Sequence, residues 1–139
     1  MTQRGSCLND LNGITGMIVD AAFRIHTTLG PGLMESVYET ILARDLARRG
    51  LAVERQRTIS FDFEGLWFED ACRVDLVVER CVAVEIKSSA TILPRHGQQL
   101  LTYLRLLDYR VGLLLNFGAP LMKDGIKRVA NNIKSADRP

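Results

Sequence analysis

The stretch Val74-Asp75-Leu76-Val77-Val78, a short connector, and then Val82-Ala83-Val84-Glu85-Ile86-Lys87 most constrains what this chain can become. Both segments read as apolar strands, with Asp75, Glu85 and Lys87 as the charges in their interiors. Side chains alternate across a strand with period two, so Val82, Val84 and Ile86 take one face of the second segment and Ala83, Glu85 and Lys87 the other. The preceding Cys81-Val82-Ala83-Val84 is apolar on both faces, as in strands covered on both sides. Burying a charge costs roughly several kcal/mol per ion unless it is paired or binds a metal. Two readings follow: a salt-bridge network at the strand ends, or a cation site with an ammonium beside it.

A shared ion requires Asp75 and Glu85 on one face, which opposed positions on an antiparallel ladder guarantee. Val78 must then face Val82 across the connector Glu79-Arg80-Cys81. A two-residue Glu79-Arg80 hairpin would pair Asp75 with Val84 and send the carboxylates to opposite sides. Glu-Arg lacks the Asn-Gly or Asp-Gly chemistry of two-residue turns, so an odd connector or a bulge is expected.

Around this pair, Ile14, Met17, Ile18, Ala21, Ala22, Ile25 and Leu29 recur at helical spacing, and Gly30-Pro31 stops that helix. A second helix is expected from near Leu33 to Gly50, with Met34, Val37, Tyr38, Ile41, Leu42 and Leu46 on one stripe and Glu35 in its first turn. Strands follow over Val53–Ile59 and Phe61–Phe68, turning near Glu64-Gly65. A third helix runs from about Arg95 to Leu107, Val111–Phe117 is a core strand, and Gly125–Val129 adds an edge strand. The fold class is α/β, one mixed sheet flanked by helices. With 139 residues the chain fits one domain, and residues 1–9 and 133–139 are expected to be flexible.

No apolar run approaches the ~20 residues of a membrane helix. Met-Thr-Gln-Arg-Gly-Ser at the start has no apolar core, so a cytoplasmic location is expected. Cys7, Cys72 and Cys81 lack zinc-ligand spacing and are expected to be reduced thiols. The net charge of +2 is too small to announce nucleic acid. Basic groups at Arg44, Arg48 and Arg49, and at Lys123, Lys127, Arg128, Lys134 and Arg138, are solvated faces or phosphate contacts.

A hard divalent cation such as Mg²⁺ prefers carboxylate and carbonyl oxygens, and Asp75, Glu85 and the backbone carbonyl of Ile86 make a sufficient set. Lys87 then stabilises developing charge or orients a water. Gln99 and Tyr103 lie four apart on one helical face and can address the same site; by themselves they also fit a packed tyrosine beside a surface glutamine. His96, one turn before Gln99, binds a water or caps its helix.

In order and spacing, Asp75, Glu85-x-Lys87 and Gln99-x-x-x-Tyr103 resemble the PD-(D/E)XK nuclease superfamily, including the Gln-x-x-x-Tyr signature of its RecB-like branch. Gly32-Leu33-Met34-Glu35-Ser36-Val37-Tyr38 resembles the segment that names the GxxExxY family, and residues 99–105 and 112–118 resemble its later blocks. Val74 stands where the superfamily's proline would be. The resemblance implies a restriction-endonuclease-like core and a Mg²⁺- or Mn²⁺-dependent phosphodiester hydrolase. It implies that Asp75 and Glu85 are metal ligands with the Ile86 carbonyl, Lys87 is the catalytic lysine, Glu35 is a helix-borne acidic residue open to the metal, and Gln99 and Tyr103 support phosphate or metal. The expected partner is nucleic acid, DNA first, with selectivity drawn from DNA structure, a free end, a homodimer or a partner protein. The alternative is a catalytically silent module that binds nucleic acid or protein on the same fold.

Overall fold

The computed structural model of the chain describes residues 10–132; the flexibility expected of residues 1–9 and 133–139 lies outside them. The elements are α1 (Leu11–Leu29), α2 (Glu35–Arg48), β1 (Val53–Phe63), β2 (Leu66–Val78), β3 (Val82–Lys87), α3 (Pro94–Leu107), β4 (Val111–Asn116), a 3₁₀ turn (Met122–Gly125) and β5 (Ile126–Ala130). One five-stranded sheet runs in the order β1-β2-β3-β4-β5. Its pairs are antiparallel except β3 with β4, which is parallel, with α3 between them in sequence. A parallel pair needs such a crossover, whereas the antiparallel neighbours are joined by turns. This is the mixed sheet flanked by helices that the pattern of elements predicts.

The two faces of β3 and β4 explain why they read as apolar throughout. Leu76, Val78, Val82, Val84, Ile86, Leu113 and Leu115 pack with Ile18, Ile25, Leu42 and Leu46 of α1 and α2. Val77, Ala83 and Leu114 pack on the other side with Leu100, Tyr103 and Leu104 of α3. Each fully buried Leu or Val contributes about 1.5–3 kcal/mol, so these central strands anchor everything placed at their ends. The α3 face is close-fitted at Gly112, where a Cβ would stand 3.0 Å from the Ala83 carbonyl oxygen and 3.1 Å from a Leu100 methyl.

Helix α2 begins at Glu35 rather than at Leu33 because the backbone before it is committed elsewhere. The Leu33 N–H donates to the Tyr38 hydroxyl at 3.2 Å, and the Leu33 carbonyl accepts from the Ser88 hydroxyl at 2.6 Å. The Tyr38 hydroxyl in turn donates to the Gly30 carbonyl at 2.6 Å, and its ring stacks on Phe117 at 4.5 Å. Tyr38 thus closes the Gly30–Leu33 loop and sets where Glu35 emerges.

Between β2 and β3, Val78 pairs with Val82, which is the register that opposes Asp75 to Glu85. The connector Glu79-Arg80-Cys81 is odd, as expected, and its first two residues both have φ of +54°. Non-glycine residues adopt that region at a cost, here offset by specific bonds. The Glu79 N–H donates to the Ala52 carbonyl at 2.8 Å, and the Ala52 N–H donates to the Glu79 carboxylate at 2.6 Å. Cys81 is disulfide-bonded, which corrects the expectation of reduced thiols there, while Cys72 is free. Among the described residues no helix is long and apolar enough to cross a membrane. The β1–β2 hairpin extends beyond the end of β3 and exposes Phe63, Leu66, Trp67 and Phe68.

Candidate active site

Strands β2 and β3 part company directly after the pair Leu76–Val84. In the fork that opens, side chains take over from the backbone ladder: the Asp75 N–H donates to Glu85 Oε1 at 3.0 Å, and the Ile86 N–H donates to Asp75 Oδ2 at 2.8 Å. Each carboxylate therefore accepts from a backbone N–H of the facing strand. The N–H and C=O of one strand residue point to the same edge, so the Ile86 carbonyl also turns toward the fork.

Glu85 is 6% exposed, and Asp75 and Lys87 are half-buried. Among the described residues, none of the three takes part in an ion pair within 4.0 Å. That removes the salt-bridge reading of the cluster. Burial pushes the Glu85 carboxyl up to about 7, the Asp75 charge pushes in the same direction, and the hydrogen bond from Asp75 and the Lys87 charge only partly oppose them. An ion-paired carboxylate would move the other way.

Other elements converge on this fork. Tyr103 of α3 is 8% exposed, and its phenol is raised by burial and then by the Glu85 charge. Gln99 lies one turn earlier on α3 and is exposed. Glu35, exposed in the first turn of α2, is close enough for its charge to act on both Glu85 and His96. His96 Nδ1 accepts from the Leu93 N–H at 3.2 Å, so the imidazole caps α3. Burial, then Lys87 and Arg95, lower its pKa. The end of β3 is fixed by its neighbour β4: the Phe117 N–H donates to the Lys87 carbonyl at 2.9 Å, and the Asn116 amide exchanges bonds with the Ser89 backbone at 3.0 and 2.9 Å.

A family model described as the PD-(D/E)XK nuclease superfamily matches residues 12–129. The chain belongs to this superfamily. Neither the curated proteins nor the solved structures gave a match. PD-(D/E)XK nucleases generally use divalent metal ions, and the fork fits one in its chemistry. Neither anionic oxygen donor is ion-paired, burial and the Asp75 charge raise the Glu85 carboxyl, and a hard cation relieves that repulsion. Among the described residues, however, no three His, Cys, Asp or Glu side chains are gathered to hold an ion. Glu35 is thus not assembled with Asp75 and Glu85 into a three-carboxylate set.

In this PD-(D/E)XK chain two residues at the fork escaped the sequence reading. Glu39, one turn after Glu35, is 6% exposed and pairs with Arg55 at 3.1 Å. Gln56 of β1 donates to Glu39 at 2.6 Å and, at 3.4 Å, to Asp75 Oδ1. The spacing of Glu35 and Glu39 by four was a signal that both share a helical face. Nothing in the polar run Glu54-Arg55-Gln56-Arg57 marks Gln56.

Proposed function

We propose that this protein is a metal-dependent nuclease that hydrolyses phosphodiester bonds, DNA being the first substrate to test, at a site formed by Asp75, Glu85 and Lys87. One observation carries the reading: two carboxylates meet in the β2–β3 fork with an unpaired lysine beside them and no side-chain cation neutralising them among the described residues. Asp75, Glu85 and the Ile86 carbonyl would hold the ion, Mg²⁺ or Mn²⁺. The chemistry such an ion supplies is Lewis acidity toward a phosphate oxygen and a more acidic bound water.

The chain's own groups account for the rest. Asp75 is oriented by the Ile86 N–H, and Glu85 by the Asp75 N–H. Lys87 follows Glu85 on the same face of β3, where its ammonium stabilises the charge that develops on the phosphoryl oxygens or orients the attacking water. Tyr103 and Gln99 offer a phenol and an amide to phosphate, and Glu35 a further acidic group at the rim. The finer resemblance, to the GxxExxY family and the RecB-like branch, belongs to this proposal, and it rests on Gly32, Glu35 and Tyr38 and on Gln99 and Tyr103.

The test is a panel of single-stranded, double-stranded, flapped and branched DNA, with RNA, incubated with Mg²⁺, Mn²⁺ or chelator and with Asp75→Ala as control. Metal-dependent cleavage absent from Asp75→Ala is the expected result. Binding of nucleic acid without cleavage under any metal leaves the silent binding module instead.

A further inference from the structure

The β1–β2 ladder pairs Arg55 with Leu76 and Arg57 with Val74, but the intervening pair, Gln56 with Asp75, is missing. Gln56 has a φ of +53°, a left-handed conformation that glycine, asparagine and aspartate adopt far more readily than glutamine. A strained residue directly opposite the fork carboxylate invites the question of what its side chain does there.

Its amide nitrogen lies between two carboxylates, 2.6 Å from Glu39 Oε1 and 3.4 Å from Asp75 Oδ1. A primary amide has two N–H donors and no charge, so it can serve both acceptors at once. Glu39 is buried and holds Arg55 through its other oxygen, which makes it a fixed anchor for the amide. Asp75 is then held through both oxygens, Oδ2 by the Ile86 N–H and Oδ1 by Gln56. An ammonium or guanidinium in the same place would pair with Asp75 and compete with any cation in the fork, whereas a carboxylate would add repulsion.

We infer that Gln56, anchored on Glu39, is a positioning residue that orients the Asp75 carboxylate for a divalent cation. This rests on the metal-site reading above. Neutral donors behind ligating carboxylates fix their orientation, and losing such a partner typically weakens metal binding by about 10- to 100-fold. The strained backbone is consistent with a side chain retained for its amide, since glycine would occupy this φ without strain.

The test separates positioning from simple support of the fold. Gln56→Gly removes the amide but relieves the left-handed backbone. Gln56→Asn keeps an amide and suits positive φ but is one methylene too short to bridge both carboxylates. Each variant, with wild type and Asp75→Ala, is titrated with Mn²⁺ by calorimetry well below its melting temperature, and melting is followed separately in chelator. The expected result is a melting temperature near that of wild type with a Mn²⁺ Kd weakened about tenfold in both variants, while Asp75→Ala shows no binding heat. A Kd change below fivefold in either folded variant overturns the inference and leaves the metal site standing. Absence of Mn²⁺ binding by wild type overturns both. If the glycine variant does not fold, the asparagine variant decides alone.

Discussion

Asp75 and Glu85 stand opposite each other one step past the last ladder pair of β2 and β3, joined by a 3.0 Å bond from the Asp75 N–H to the Glu85 carboxylate. Their relation is thus both attractive, through the backbone, and repulsive, through the two charges. The repulsion and the burial of Glu85 give the fork a proton affinity that can be measured.

The metal-free protein should lose stability as pH rises. The Glu85 carboxyl lies at about 7 in the fold against 4.5 unfolded. A raised folded value means that the stabilisation is complete below the unfolded value and is lost as pH passes through the folded one, a difference of about 3 kcal/mol at 1.36 kcal/mol per unit. Glu85→Gln should therefore raise the melting temperature in chelator at pH 8 by several degrees and change little at pH 4.5. Calorimetric melts of both proteins across this range check it, and equal pH slopes would exclude two repelling carboxylates.

Metal binding should release a proton from the same group. The ligand form of Glu85 is the carboxylate, so at pH 6, below its value of about 7, Mn²⁺ binding should release close to one proton, and at pH 8 almost none. Titrations in buffers of different ionisation enthalpy count the protons. Affinity should rise by nearly tenfold from pH 5 to pH 6 and level off above pH 7.

Replacing Lys87 by alanine should lower turnover by about 10²–10³-fold, the usual cost of removing one preorganised group that stabilises transition-state charge. Nucleic-acid affinity should stay within a few-fold of wild type, because the contact is made in the transition state. Single-turnover cleavage beside a binding titration separates the two effects. Equal loss of both would make Lys87 a phosphate-binding group only.

The Tyr38→Phe change should cost about 1–3 kcal/mol, since the hydroxyl leaves the Gly30 carbonyl and the Leu33 N–H without their partner while the stack on Phe117 remains. Denaturant melts measure it. Its cleavage rate should fall less than that of Lys87→Ala, because Tyr38 sets the start of α2 and does not face the fork.

The order of elements and the charged motif within it were legible in the sequence because they follow from local rules. Period-two and period-3.6 patterns marked the strands and helices, Gly30-Pro31 ended α1, and the two-faced apolarity of Cys81–Val84 reported a strand covered by helices on both sides. The charges at Asp75, Glu85 and Lys87 stood out against that background because burial makes charge expensive. Even the odd connector was inferable, since Glu79-Arg80 lacks two-residue turn chemistry and a one-residue slip would split the carboxylates.

Tertiary structure decided what depends on contacts between distant segments. The start of α2 moved to Glu35 because Tyr38 and Ser88 claim the Leu33 backbone, a competition that helix periodicity cannot register. Whether Asp75, Glu85 and Lys87 neutralise one another was open from sequence, because ion pairing turns on distances of a few ångströms between separate strands. Parting of β2 from β3 settles it: the carboxylates bond to backbone N–H groups rather than to Lys87. Gln56 was invisible for the same reason, and the four-residue spacing of Glu35 and Glu39 showed a shared helical face without showing what Glu39 meets. Their roles arise where a helix of residues 35–48 and a strand of residues 53–63 meet across from residue 75, and no periodicity within either segment encodes that meeting.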